Sequence, residues 1–163
     1  MKTIYLAGGC FWGMQRFFDQ FEGVKRTEAG YANGPDTPPS YQDVCHDSGH
    51  AETVQIVYDE SAMSLYSLLD YYFMVIDPTS VNEQGGDRGI QYRTGIYYVD
   101  EADLPIISER YREEEAKVGA PLAVEVMPLE NFFPAEEYHQ KYLLKNPAGY
   151  CHISPRYFAL GKK

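Results

Sequence analysis

Thr3-Ile4-Tyr5-Leu6-Ala7-Gly8-Gly9-Cys10-Phe11-Trp12-Gly13-Met14 passes from a strand pattern through a double glycine into a helix pattern. Residues 3–7 predict a first strand, short and rich in β-formers. Phe11, Met14, Phe17, Phe18 and Phe21 fall near helical spacing and predict a helix over 10–21, with Phe17, Phe18 and Phe21 in the core. Between the two, Gly8 and Gly9 allow a sharp turn. Cys10 thus opens the helix, where unpaired backbone N–H groups and the positive end of the macrodipole favour thiolate over thiol. Phe11 and Trp12 can wall an apolar pocket beside the sulfur. The run reads as a reactive cysteine with an aromatic binding surface.

Working outward, residues 24–31 form a weaker strand candidate and 32–50 read as loop, with Asn33-Gly34-Pro35 and Pro38-Pro39 inside. Residues 51–58 predict a strand with Val54, Ile56 and Tyr58 on one face. Ser64 caps an expected helix through Ile76, which Asp77-Pro78 stops. Residues 79–90 are a polar, glycine-rich loop and 92–99 the next strand. Asp100 suits the N-cap of a helix to Val118, with Pro105 near its first turn and Gly119 at its C-terminal end. Residues 122–127 alternate as a strand, Pro134 opens a short helix through Leu144, and 148–163 form an irregular tail. This order predicts one α+β domain over residues 1–163: a two-layer α/β sandwich with a mixed sheet and a ferredoxin-like core.

The 163 residues suffice to bury a sizeable core, and aromatics reach 15%, including 15 tyrosines and a single tryptophan. A formal net charge of −10 argues against nucleic acid or an anionic membrane as partner. No apolar run has membrane-spanning length and no secretory pattern precedes Cys10, so the expected location is cytoplasmic. The ending Gly161-Lys162-Lys163 is compatible with either a native terminus or an appended one. Cys10, Cys45 and Cys151 are odd in number and widely spaced, which does not fit a secreted disulfide scaffold. The four histidines, His46, His50, His139 and His152, lack the paired spacing of a structural zinc site, and no metal is expected.

Three polar segments can converge on Cys10: Ser48-Gly49-His50-Ala51-Glu52, Asp87-Arg88-Gly89-Ile90-Gln91-Tyr92-Arg93, and Gly149-Tyr150-Cys151-His152. Glu52 opens a strand with an apolar continuation. If half-buried there, its carboxyl has a raised pKa and serves as a general acid near neutrality; if not, it is an ordinary solvent-facing glutamate. Asp87 divides in the same way between a site role and a turn role. Tyr41 and Tyr92 can donate to a polar oxygen or simply pack as rings. The run Glu113-Glu114-Glu115 reads as a solvated face.

Gly9-Cys10-Phe11-Trp12-Gly13 resembles the signature of the peptide methionine sulfoxide reductase A family. Further blocks follow in family order: Gly30-Tyr31 with Tyr41-Gln42-Asp43-Val44-Cys45 and Gly49-His50-Ala51-Glu52; Asp77-Pro78-Thr79, Asn82-Glu83-Gln84-Gly85-Gly86-Asp87 and Gln91-Tyr92-Arg93; then Tyr138-His139-Gln140, Lys145-Asn146-Pro147 and Gly149-Tyr150-Cys151. Together they cover nearly the whole chain. The resemblance implies reduction of the S epimer of methionine sulfoxide, free or in proteins, with no metal or organic cofactor. It implies Cys10 as nucleophile and Glu52 as acid. Tyr41, Asp87 and Tyr92 make the oxygen-binding side, Phe11 and Trp12 cradle the methyl group, and Cys151 is the resolving cysteine. The resulting Cys10–Cys151 disulfide is then reduced by thioredoxin. Two features depart from the family: the Cys45–Gly49 interval is about one residue short, and residues 153–163 carry no further recycling cysteine. Cys45 is expected as a buried bystander. Two other functions compete: a cysteine hydrolase using His50 or His139 as base, and a non-enzymatic domain binding apolar peptides through Phe11 and Trp12.

Overall fold

In the computed structural model, residues 1–46 and 48–161 are described. Asp47, inside the shortened interval, and Lys162-Lys163 lie outside them. The chain folds around a six-stranded mixed sheet of order β7-β6-β1-β3-β2-β8. Its strands are β1 (Lys2–Gly8), β2 (Val24–Ala32), β3 (Ala51–Tyr58), β6 (Thr94–Tyr98), β7 (Glu125–Pro128) and β8 (Phe132–Pro134). Neighbours run antiparallel except β6 and β7, which are parallel. The helices are α1 (Phe11–Phe18), α2 (Tyr41–Cys45), α3 (Leu65–Val75), α4 (Leu104–Val118) and α5 (Tyr142–Lys145), and a two-stranded hairpin, β4 (Glu83–Gln84) with β5 (Asp87–Arg88), stands apart.

The period-2 alternation of β3 sorts its side chains. Val54, Ile56 and Tyr58 join Ile4, Leu6, Phe17, Phe18, Leu68 and Leu69 in the main core. Phe17 and Phe21 also pack on Tyr71 of α3, so α1 and α3 share one face of the sheet. A smaller cluster of Tyr5, Ala7, Ala32, Ala51 and Tyr97 covers the other face. Glu52 falls on the side of Val54 and Ile56, beneath the start of α1.

Several expected boundaries shift. The helix expected over 10–21 ends at Phe18, with Cys10 as its N-cap. The loop expected over 32–50 holds α2, nucleated by a capping box in which Ser40 and Asp43 satisfy each other's backbone N–H. The loop over 79–90 folds back as β4–β5, and Ile90–Tyr92 make a 3-10 turn, so the following strand starts at Thr94. The strand expected over 122–127 occupies 125–128. Pro134 closes β8 instead of opening a helix, and helical turns begin only at Glu137. Asp100 does cap the 3-10 turn leading into α4, which Gly119 ends at φ 76°. Among the described residues no helix is long and apolar enough to cross a membrane.

Candidate active site

Cys10 lies where β1 ends and α1 begins, and it is 7% exposed. Gly9 takes φ +86°, a left-handed conformation suited to glycine, and a Cβ there would sit 2.7 Å from the Gln84 side chain. Beside the sulfur, Glu52 is 1% exposed, and its Oε1 accepts the Phe11 N–H at 3.2 Å. Its Oε2 is buried without a protein partner. Burial is the main reason the Glu52 pKa climbs from 4.5 to about 8; Phe11 N–H opposes the rise and Asp87 adds to it. The carboxyl is therefore protonated at neutral pH.

The expected lowering of the Cys10 pKa is overturned. Burial, then the Glu52 charge, push the thiol well above its ordinary value, and the Trp12 N–H only partly offsets them. A short helix offers little compensation once water is removed and a carboxyl sits alongside. The resting site holds a thiol.

Tyr41, Tyr92 and Asp87 come to the same place. Burial raises the pKa of both tyrosines, and the Glu52 charge adds to the rise in each, so both stay neutral hydroxyl donors. Burial also raises Asp87, while His152 and Tyr150 pull it down. Phe11 is 1% exposed, packed between Tyr31 and His139, whereas Trp12 is half-buried. The Trp12 ring stacks on Tyr142 at 3.9 Å between centroids, and its N–H donates to His139 Nδ1 at 3.0 Å. Cys151 is half-buried and free. A Cβ on Gly13 would lie 2.8 Å from its Sγ, so Cys151 rests directly on the first turn of α1.

Sequence reasoning missed a supporting layer. The Glu136 carboxylate accepts the Tyr31 hydroxyl at 2.8 Å and the Tyr41 N–H at 3.0 Å, fixing both near Glu52. The His139 ring packs tilted against Tyr41 at 4.4 Å between centroids and orients Trp12. Both reach the site through the end of β8, which no local periodicity announced. Cys45 is also misjudged: it is exposed at the end of α2, close enough to Tyr41 to share a hydrogen bond. Neither candidate hydrolase base serves Cys10. His50 uses its ring nitrogens on Pro35 O at 2.8 Å and Ser48 Oγ at 2.9 Å, and His139 Nδ1 is occupied by Trp12. Among the described residues, no three His, Cys, Asp or Glu side chains gather where they could hold a metal ion.

A sequence model of the family described as peptide methionine sulfoxide reductase matches residues 2–160. Peptide methionine sulfoxide reductase MsrA of Lachnoclostridium phytofermentans is 60% identical over 153 residues, covering 93% of this chain and 92% of that protein. Mxr1 from Saccharomyces cerevisiae in reduced form superposes with a TM-score of 0.88 at 39% identity, over 94% of this chain and 91% of that one. Mxr1 in complex with Trx2 is similar at a TM-score of 0.62 and 26% identity, over 86% of this chain and 84% of that one.

Proposed function

The chain belongs to the peptide methionine sulfoxide reductase family, and from that premise we propose that it reduces methionine (S)-sulfoxide, free or in proteins, by oxygen transfer to Cys10. The observation that carries the assignment of roles is the buried Glu52, protonated up to pH about 8 next to a buried thiol. A sulfoxide presents a polar oxygen, an electrophilic sulfur and an apolar methyl. Glu52, Tyr41, Tyr92 and Asp87 meet the oxygen, Cys10 meets the sulfur, and Trp12 backed by Phe11 walls the methyl. Fixing three substituents around one chiral sulfur selects one epimer.

The proton inventory closes. Glu52 donates to the sulfoxide oxygen and, now a carboxylate, takes the proton of the Cys10 thiol. The thiolate attacks sulfur, the oxygen passes to Cys10 as a sulfenic acid, and methionine leaves reduced by two electrons. Cys151 then displaces water from the sulfenic acid to form the Cys10–Cys151 disulfide. A thioredoxin dithiol reduces that bond and is itself oxidised, a partner in keeping with the Trx2 complex of the yeast relative.

We read the whole chain as one catalytic domain, a two-layer sandwich acting in the cytoplasm. Three free cysteines fit a reducing compartment. The order β6-β1-β3-β2, antiparallel throughout, supports a ferredoxin-like core. The test is turnover of each epimer with dithiothreitol and then with thioredoxin. The S epimer is reduced and the R epimer is not. Cys10→Ser abolishes reduction. Cys151→Ser yields one methionine per protein and stalls with thioredoxin; normal thioredoxin turnover by that variant would refute the relay.

A further inference from the structure

His152 directly follows Cys151, and its side chain packs against three glycines, most tightly against Gly9 and Gly85. A Cβ on Gly9 would approach His152 Nε2 to 3.1 Å, one on Gly13 would approach Cε1 to 3.4 Å, and one on Gly85 would approach Cβ to 3.0 Å. There Nε2 lies 3.0 Å from the carbonyl oxygen of Gly8. A carbonyl only accepts, so Nε2 carries a proton and donates, and in the neutral ring Nδ1 is then an acceptor. That Nδ1 is buried without a protein partner, as is Asp87 Oδ2. Burial favours the neutral ring, in which Nδ1 is the acceptor, while Asp87 and the Gly8 bond oppose that shift.

Gly8 stands two residues before Cys10, and Gly13, one of the three glycines, also seats Cys151 Sγ. Residues 151 and 152 therefore grip the two flanks of the nucleophile's own turn. We propose that His152 is the positioning residue of the recycling step: its Nε2–H bond to the Gly8 carbonyl, made against the three glycines, holds Cys151 against α1 for attack on the Cys10 sulfenic acid. This rests on the roles given to Cys10 and Cys151 above. In the step itself an S–S bond forms, the S–OH bond breaks, and the thiol proton leaves with the hydroxyl as water. His152 exchanges no atom or electron in this step.

The experiment mixes fully reduced protein with one equivalent of methionine (S)-sulfoxide and quenches with a thiol-alkylating reagent. Methionine reports the first step and the Cys10–Cys151 disulfide reports the second. In His152→Ala the second rate, relative to the first, drops by about tenfold, equivalent to a hydrogen bond of about 1.4 kcal/mol. His152→Asn, polar but too short to reach Gly8, behaves like alanine. His152→Gln can place an amide N–H near the Nε2 position and keeps the ratio within about threefold of wild type. The Asn and Gln pair decides the question should the alanine variant fail to fold. An unchanged ratio in His152→Asn, or equal slowing in Asn and Gln variants, overturns the proposal. Absence of methionine from the wild-type protein would instead overturn the reading of Cys10.

Discussion

Glu52→Gln separates a buried acid from an ordinary carboxylate through stability alone. The Glu52 pKa stands at about 8 in the folded protein against an ordinary 4.5. A tenfold change in proton affinity is worth about 1.4 kcal/mol, so ionising Glu52 in place costs about 5 kcal/mol more than in the unfolded chain. Between those two pH values the folded protein keeps a proton the unfolded chain releases. Stability relative to a non-titrating side chain is full below pH 4.5 and falls by about 1.4 kcal/mol per pH unit until it levels off near 8. About 3 kcal/mol of the loss is already felt at pH 7. Glutamine keeps an acceptor for the Phe11 N–H but puts an amide group where Oε2 has no partner. That constant cost, about 1–3 kcal/mol, lowers the variant's curve without changing its shape. Urea unfolding from pH 4 to 9 should show the wild-type curve starting above the variant's and crossing below it between about pH 5 and 7. Parallel curves would mean that Glu52 titrates normally, and the acid role would fall with them. The same variant should reduce sulfoxide about 10²- to 10⁴-fold more slowly at pH 7, and full activity there would refute the role independently.

Gly13→Ala drives a methyl to 2.8 Å from Cys151 Sγ and 3.3 Å from Ile153; the tail should yield, slowing disulfide formation while methionine is still produced once per protein. In Glu136→Gln one of two donors, the Tyr31 hydroxyl or the Tyr41 N–H, must face an amide group, so urea unfolding should show a loss of about 1–3 kcal/mol. Because burial holds Cys10 as a thiol, iodoacetamide should label it slowly at pH 7, more slowly than exposed Cys45, as read by peptide mass mapping; faster labelling of Cys10 would contradict a resting thiol.

What sequence could disclose follows the range of the interactions. Strand β3 is legible to the residue because alternation is local, and α3 because Ser64 and Asp77-Pro78 mark its ends. Alternation leaves the two readings of Glu52 open, and it is the structure that buries its side chain on the core face with Val54. The capping box that makes α2 is local too, yet proline and glycine around it argue for loop. Glu136, by contrast, reaches Tyr31 and Tyr41 across about a hundred positions of chain through β8, a three-residue strand with no pattern of its own. The protonation of Cys10 was misread for a related cause: a helix N-terminus is visible in sequence, but the depth of burial and the carboxyl from another strand are not.

That error changes the chemical picture. A cysteine kept as thiolate would react with any passing oxidant, since the thiolate is the nucleophilic form. Here one desolvated pocket raises the pKa of both Cys10 and Glu52, so each proton stays home until a partner accepts one. In the mechanism proposed above, a sulfoxide oxygen held by Tyr41 and Tyr92 is such an acceptor. When Glu52 gives up its proton it becomes the base that Cys10 lacks, so nucleophile and electrophile are activated by the same transfer. On that proposal, reactivity is tied to occupancy by a substrate with a basic oxygen and a methyl small enough for the Trp12 wall. Burial, which alone would silence both groups, makes the pair selective.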